Sequence, residues 1–375
     1  MKKRYNILIC PLEWGLGHAA RMIPVASYLS NLGHNVIIAS GEEHLSLFRN
    51  ELPGLSYINF PGFKPSYSRF FPQYLSLLFK IPGLLFHIAR EHNRLKSIIT
   101  GNEIDAVISD NRFGLWNRKI ITVYVTHMPR IPFPFPFRFL EPVGIALHRL
   151  IIKRYNHCWI PDLPGEENIS GRLSHSVVLT SNTRFTGLLS KFSVILPDHV
   201  DYDEETRHNT VVLSGPEPQK GILKKKLVTI LKNRKENTFI LEGKPLAGKQ
   251  LSGNGNIHFY SHLPAGEMAQ LLWGSRCVVA RSGYTTIMEL ISLQTGALLI
   301  PTPGQTEQEY LAEYLSGKGW FSTVSQSKLD DTIKLPDVKA IWPSRISTES
   351  KNLLTEAINE LLIDLHENQE TCKSG

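Results

Sequence analysis

No window of the chain approaches eighteen uninterrupted apolar residues, so no membrane-spanning helix is expected. Cysteine is scarce. The four, at positions 10, 158, 277 and 372, show neither metal-site spacing nor a disulfide framework, which points to a reducing, cytoplasmic setting. Lys2, Lys3 and Arg4 precede an apolar run too short for a secretory core, so a first strand is expected there and not a signal peptide. Carboxylates and histidines do not cluster at ligand spacing, so no metal is expected. Asp201-Tyr202-Asp203 matches an Asp-x-Asp metal pattern but lies in a polar hinge and is read as chance. A nucleic-acid module and a concentrated basic helix are also missing. The net charge of +7 is therefore assigned to an anionic substrate or an anionic membrane, with nucleic acid ranked last.

What is present fits two globular domains: 375 residues, 42% hydrophobic and 20% charged. Tyr5–Leu12, Ala19–Leu32 and Asn35–Ser40 read as a β-α-β unit, and the strand–helix alternation resumes from Asn209. The fold class expected is α/β, with two doubly wound Rossmann-like domains facing a cleft. Residues 1–185 form the first, 186–348 the second, and a helix within 349–375 returns to the first.

The most informative stretch is Arg281–Leu315. Thr286 with Glu289, and Thr306 with Glu309, fit helix-opening capping boxes, and Ala297–Ile300 between them is a buried strand. Two helix N-termini then lie at the carboxyl edge of a parallel sheet, a place where anions bind. Ser282, Gly283 and Tyr284 offer backbone N–H groups there, while Glu289, Gln305, Glu307 and Gln308 offer side chains that grip hydroxyls. A pyrophosphate attached to sugars needs both. Glu289 also reads as a mere capping partner, and Glu307 as a carboxylate complementing a helix dipole.

This stretch resembles the nucleotide-sugar half of inverting two-domain glycosyltransferases of the GT-B fold, the glycosyltransferase family 28 C-terminal domain and the UDP-glycosyltransferases. The resemblance implies that Ser282-Gly283 hold the diphosphate, Glu289 the ribose hydroxyls, and Glu307-Gln308 the transferred sugar. The Ser214-Gly215-Pro216-Glu217-Pro218-Gln219 loop is poorer in glycine than the family's; its prolines remove backbone donors, leaving Ser214, Gly215 and Gln219 as donor contacts. Backbone atoms of Tyr260–Leu263 would face the nucleobase.

In the first half, Glu13-Trp14-Gly15-Leu16-Gly17-His18 follows the first strand. The turn has the G-x-G spacing of Gly15 and Gly17, but no third glycine follows and no acid ends the second strand, which argues against a dehydrogenase. The resembled families end such a turn in His, and in the UDP-glycosyltransferase branch that His deprotonates the acceptor. His18 has the near-neutral imidazole this needs. Asp110, at the end of the Ala106–Asp110 strand, is the expected orienting carboxylate; a strand-end cap or a salt bridge to Arg112 is the plainer reading. His127 is read as acceptor-site lining or as a satisfied loop histidine.

Two segments are rich in aromatics and cations. Residues 60–99 carry Phe60, Phe63, Tyr67, Phe70, Phe71, Tyr74, Phe79 and Phe86 among Lys64, Arg69, Lys80, Arg90, Arg94 and Lys96, with a helix from Leu75 to Ile99 broken at Pro82-Gly83. Residues 128–154 carry the alternating Pro-Phe run of 132–137, then Arg138, Arg149, Lys153 and Arg154. They suit a bilayer interface or an acceptor-pocket wall.

The function expected is transfer of a sugar from a UDP-sugar to an acceptor hydroxyl with inversion, without metal or other cofactor, in the cytoplasm or on the inner membrane face. The acceptor is lipid-linked or a glycan. The alternatives are a nucleotide-sugar epimerase or hydrolase on the same fold, or a non-catalytic nucleotide-sugar-binding protein.

Overall fold

A computed structural model describes residues 3–63, 81–133, 137–193, 207–336, 342–343 and 345–374. Expectations for residues 64–80, for 134–136 and for Asp201-Tyr202-Asp203 lie outside the described residues. The first domain is a sheet of β1 (Asn6–Pro11), β2 (Asn35–Ser40), β3 (Ser56–Asn59), β4 (Ala106–Asp110), β5 (Ile121–Val125), β6 (His157–Ile160) and β7 (Thr183–Phe185). Its order is β3-β2-β1-β4-β5-β6-β7, and every pairing is parallel. The helices are α1 (Leu16–Asn31), α2 (Glu42–Glu51), α3 (Ile81–Gly101) and α4 (Glu141–Ile152). A parallel sheet covered on both faces buries its central strands completely, which is why β1, β4 and β5 read as continuous apolar runs. Polar residues collect where those runs stop, at the carboxyl edge, and Asp110 is the last residue of β4.

The second domain repeats the plan. β8 (His208–Val212), β9 (Thr238–Leu241), β10 (Leu251–Asn254), β11 (Ile257–Tyr260), β12 (Ser275–Ala280), β13 (Leu298–Leu299) and β14 (Ser322–Thr323) form a second sheet, ordered β10-β11-β9-β8-β12-β13-β14. Only the edge strand β10 is antiparallel. Between them run α5 (Gln219–Leu231), α6 (Ala265–Trp273), α7 (Tyr284–Ser292), α8 (Thr306–Gly317) and the terminal α9 (Arg345–Ser374).

Helix α9 crosses from one domain to the other. Ile346 joins the second-domain core, while Leu354, Ala357, Ile358, Leu361 and Leu365 pack with Ile7, Ile9, Val123 and Trp159 of the first. Their helical spacing places them on one face, and each buried leucine contributes roughly 1.5–3 kcal/mol. Tyr28, Arg184 and His157 add polar contacts to Thr355, Glu360 and Asp364. The second tie is residues 161–192. Asp162 accepts backbone N–H groups from Leu163, Ile169 and Ser170, each at 2.8 Å, and the loop so folded lays Leu163, Ile169 and Leu173 into the second-domain core.

Several local expectations need correcting. Helix α3 is described from Ile81, so Pro82 and Gly83 stand at its described start, while residues 75–80 of the expected helix lie outside the described residues. Helix α7 starts at Tyr284 behind Gly283, so Thr286 is inside it and is not its cap. Helix α8 starts behind Gln305, with Thr306 Oγ1 instead donating to the Pro132 carbonyl and Glu309 accepting the Gly304 N–H. Sequence patterning found the boxes because the residue types match, but tertiary partners took the side chains. Past the end of α7 the left-handed conformation is taken by Gln294, at φ 53°.

Candidate active site

The cleft lies between the carboxyl edges of the two sheets. After β1 the chain turns through Gly15, whose φ of 138° no side chain tolerates easily, and enters α1 so that His18 occupies its first turn. Gly17 is where the domains touch. Its carbonyl accepts the Thr285 hydroxyl at 3.1 Å, and a Cβ there would sit 3.0 Å from that oxygen.

His18 Nδ1 lies 3.0 Å from Asp110 Oδ2, with Asp110 completely buried and the His18 side chain 18% exposed. With Nδ1 facing the carboxylate, Nε2 is the nitrogen left for the cleft. Asp110 is fixed from behind by Asn111, which takes a φ of 53°, donates its N–H to Val125 and accepts the Tyr124 hydroxyl at 3.1 Å. Arg112 does not pair with Asp110; it is buried against Glu91 and under the Phe60 ring.

The cation that does hold Asp110 is Arg21, one helical turn beyond His18. Its Nε donates to Oδ2 at 2.9 Å and its Nη2 to Oδ1, a bidentate pair at a side chain 1% exposed. Arg21 Nη1 also reaches His127 Nδ1 at 3.1 Å, and His127 Nε2 meets Glu307 Oε1 at 2.8 Å. The His127 ring stacks on Tyr284, centroids 4.1 Å apart. One charged chain thus runs His18–Asp110–Arg21–His127–Glu307, from the first domain into the start of α8. His127 is the satisfied loop histidine of the two readings. Arg21 was missed by sequence reasoning, although the His-x-x-Arg spacing puts both residues on one helix face and was the available signal.

The electrostatics follow from this chain. Burial pushes the Asp110 carboxyl up, but Arg21 and then His18 outweigh it and bring it down to about 2. Burial, and next Arg21, lower the His18 imidazole against the opposing pull of Asp110, so the ring is neutral near pH 7. For Glu307, burial raises and His127 lowers, with the net shift downward.

Glu13 is a second residue that sequence reasoning did not single out. Its Oε1 accepts N–H groups from Gly41 at 2.6 Å and Gly62 at 2.9 Å, fastening the loops after β2 and β3 beside the turn that carries His18. The next residue, Trp14, donates to the Phe63 carbonyl at 3.0 Å.

On the other wall, no side chain caps α7 at Gly283 or α8 at Gln305, so their first N–H groups are left for a ligand. Ser282 Oγ donates to the Gln308 carbonyl, which locks the two helix starts together. Gln308 Oε1 accepts the Thr302 N–H at 2.9 Å; its amide nitrogen lies toward Gly283. Beneath them Arg281, fully buried, donates to four carbonyl oxygens, of Ile300, Pro301, Gln219 and the Gln326 side chain. Burial lowers its guanidinium only to about 10, so it remains a cation under Ser282. Ser214 and Gly215 follow β8, which lies next to β12 in the sheet, and Gly215 opens the loop at φ 88°. Glu289 is buried on α7 beside Lys191, 4.0 Å away.

Two doubly wound sheets with ligand-ready edges turned toward each other are the GT-B architecture. The solved structures that match are of this fold. The glycosyltransferase SnogD from Streptomyces nogalater is 14% identical, with a TM-score of 0.55 over 94% of this chain and 95% of that one. MurG from Acinetobacter baumannii is 12% identical, with a TM-score of 0.52 over 96% and 99%. UGT73P12 from Glycyrrhiza uralensis is 11% identical, with a TM-score of 0.55 over 99% and 98%. Residues 226–338, which fall within the second domain, match the model of the Glycosyltransferase family 28 C-terminal domain. No curated protein sequence matches the chain.

Proposed function

We propose that the protein is an inverting glycosyltransferase that moves a sugar from a UDP-sugar to an acceptor hydroxyl. The observation that carries this reading is the His18–Asp110 pair set at the joint where Gly17 meets Thr285, one residue inside the uncapped start of α7. In this mechanism Nε2 of His18 takes the acceptor proton as the oxygen attacks the anomeric carbon. Asp110 steadies the imidazolium that forms, and the departing diphosphate is received by N–H groups of Ser282, Gly283 and Tyr284. Arg281 adds fixed positive charge below them. Glu307, Gln308 and Gln305 surround the transferred sugar, and Ser214 and Gly215 flank the donor. No divalent cation or other cofactor takes part in this reading. A helix start carries about half an elementary charge, but aimed donors in a cleft add to it.

The test is UDP release from a panel of UDP-sugars in chelator, with lipid-linked and soluble glycan acceptors. Acceptor-dependent release that vanishes in His18→Ala supports transfer. Epimer formation or acceptor-independent release would instead support the epimerase or hydrolase, and binding without consumption a non-catalytic protein.

The first domain also suits a cytoplasmic-face membrane contact and hence a lipid-linked acceptor. No helix is long and apolar enough to cross a membrane among the described residues. Yet Phe139, Val143, Leu147 and Leu150 form an exposed stripe at helical spacing on and just before α4, and Leu85 and Phe86 are exposed on α3. The two helices flank one loop, since His92 and Arg154 both pack on Trp116. Arg138, Arg149, Lys153 and Arg154 edge the stripe, and its lone acid, Glu141, is buried against Arg130. A groove of about 560 Å³ lined by Arg149 and Lys153 lies alongside. Such a surface matches an anionic bilayer, whose contacts add about 1 kcal/mol per cation. Flotation with anionic vesicles tests it; a Phe139→Ser, Leu147→Ser, Leu150→Ser variant that floats as well as the wild type would refute it.

A further inference from the structure

The first turns of both α7 and α8 are touched by one residue of the opposite domain. His127 follows β5 in the first domain and is buried. Its ring lies on Tyr284, the first residue of α7, with centroids 4.1 Å apart and planes 19° from parallel. Its Nε2 atom meets Glu307 Oε1, in the first turn of α8, at 2.8 Å. Further along the same loop the Pro132 carbonyl accepts the Thr306 hydroxyl at 3.1 Å, so the loop reaches the start of α8 a second time.

What His127 does there follows from Arg21. A guanidinium donates and has no lone pair to accept with, so Nδ1 of His127, 3.1 Å from Arg21 Nη1, is the acceptor of that contact. The ring proton is therefore on Nε2, and Nε2 donates to Glu307. Arg21 is itself fixed, because its Nε and Nη2 are both held by the buried Asp110. The Tyr284 ring under His127 is fixed as well, by a hydroxyl that donates to the Pro161 carbonyl at 2.8 Å. Glu307 is thus held through one oxygen in a set direction. Its other oxygen, Oε2, takes no hydrogen bond from the described residues. Burial raises this carboxyl and His127 lowers it, with the net shift downward, so Oε2 belongs to a carboxylate and can only accept.

We propose that His127, its proton set by Arg21, is a positioning residue for the choice of donor: it pins Oε1 of Glu307 and so aims Oε2 at one hydroxyl of the transferred sugar. This rests on the donor-site reading above and adds two first-domain residues to it, neither of them in the Arg281–Leu315 stretch that suggested that site. A carboxylate free to swing can follow a hydroxyl that is axial in one sugar and equatorial in its epimer. A carboxylate pinned through one oxygen serves a single placement. Sites built around a hydroxyl reject the analogue lacking it far more strongly than apolar pockets reject a missing methylene. Discrimination between sugars that differ at one hydroxyl is then set from the domain opposite the nucleotide.

Calorimetry on the intact chain decides it, with the wild type, His127→Phe and His127→Gln each checked for folding by its melting curve. The ligands are UDP, then UDP-glucose against UDP-galactose and UDP-mannose, and UDP-N-acetylglucosamine against UDP-N-acetylgalactosamine. Phenylalanine keeps a ring on Tyr284 and loses the N–H, whereas glutamine loses the ring and can donate an amide N–H in the place of Nε2. The wild type is expected to bind one UDP-sugar at least about tenfold more tightly than a partner that differs at one hydroxyl. His127→Phe should bring the two within about threefold while the affinity for UDP itself stays at the wild-type value, and His127→Gln should restore most of the preference. If His127→Phe does not fold, His127→Leu carries the same expectation. A wild type without any preference, a Phe variant that keeps it, or a Phe variant that loses UDP and UDP-sugar affinity by one common factor overturns the inference while leaving the donor site standing. Failure of the wild type to bind UDP or any of the UDP-sugars overturns the donor-site reading itself.

Discussion

The two walls of the cleft are made of different materials. On the first domain the working groups are side chains, held by other side chains: Asp110 by Arg21, Arg21 against His127, His127 against Glu307. On the second domain they are backbone N–H groups at α7 and α8, held by hydrogen bonds between loops such as Ser282 to the Gln308 carbonyl. Side-chain networks depend on residue identity and ionisation, so single substitutions and pH should act mainly on the first wall. Backbone donors depend on chain path, so the second wall should respond mainly to changes that move the chain.

The sharpest break in that comparison is His18→Ala. A positioned base is worth about 10²–10⁴-fold, and transfer should fall by that factor while UDP affinity, measured by calorimetry, stays at the wild-type value. Equal losses in both would mean that His18 binds donor and is not the base.

Next in size is Arg21→Met. It leaves Asp110 as a buried carboxylate without its guanidinium, a change that costs about 3–5 kcal/mol. Urea unfolding should show it, and Arg21→Lys should recover only part, because an ammonium lacks the two-pronged geometry. Retention of full stability in Arg21→Met would show that Asp110 is not held ionised as described.

Glu307→Gln should act more weakly, since the glutamate side chain is 19% exposed and the amide still accepts a hydrogen bond. Losing the charge that faces His127 should lower kcat/KM about tenfold, with a smaller fall in melting temperature than in Arg21→Met. The smallest effect expected is that of pH. In the proposed mechanism His18 acts as a base when neutral, and burial and Arg21 hold its pKa below the ordinary value, so kcat/KM should stay level as pH falls to about 6.5 and decline only at lower pH. The sign for stability is the same. Below about 6.5 the unfolded chain binds a proton that folded His18 refuses, so this group's contribution turns unfavourable as pH falls. An acid limb at or above the ordinary histidine value would contradict the arrangement.

The sequence carried the second wall better than the first. Helix starts and buried strands are written locally, in Gly283, in the apolar run Ala297–Ile300 and in the prolines and glycine before Gln305, so the two N-termini near 282 and 306 were legible. Their capping was not. Thr286, Glu289, Thr306 and Glu309 have the right types and spacing for boxes, yet Glu289 faces Lys191 and Thr306 reaches Pro132, partners more than ninety residues away in the chain. The same limit applies to the first wall. His18 and Asp110 stood at strand ends and were readable, but Arg21 looked like an ordinary helix cation, and only the folded chain places it between Asp110 and His127. The division of the chain blurred for a similar reason. Residues 1–185 read as one domain, whereas Asp162 accepts N–H groups of Leu163, Ile169 and Ser170 and so folds a loop whose side chains pack on the second domain.

The central claim is that amide groups at two uncapped helix starts receive a nucleoside diphosphate without help from a metal ion. Calorimetric titration of UDP into the wild-type protein, in chelator and again with excess magnesium, measures it most directly. The account predicts saturable one-site binding of equal affinity in both. No binding at all, or binding that appears only with the divalent ion, would contradict it.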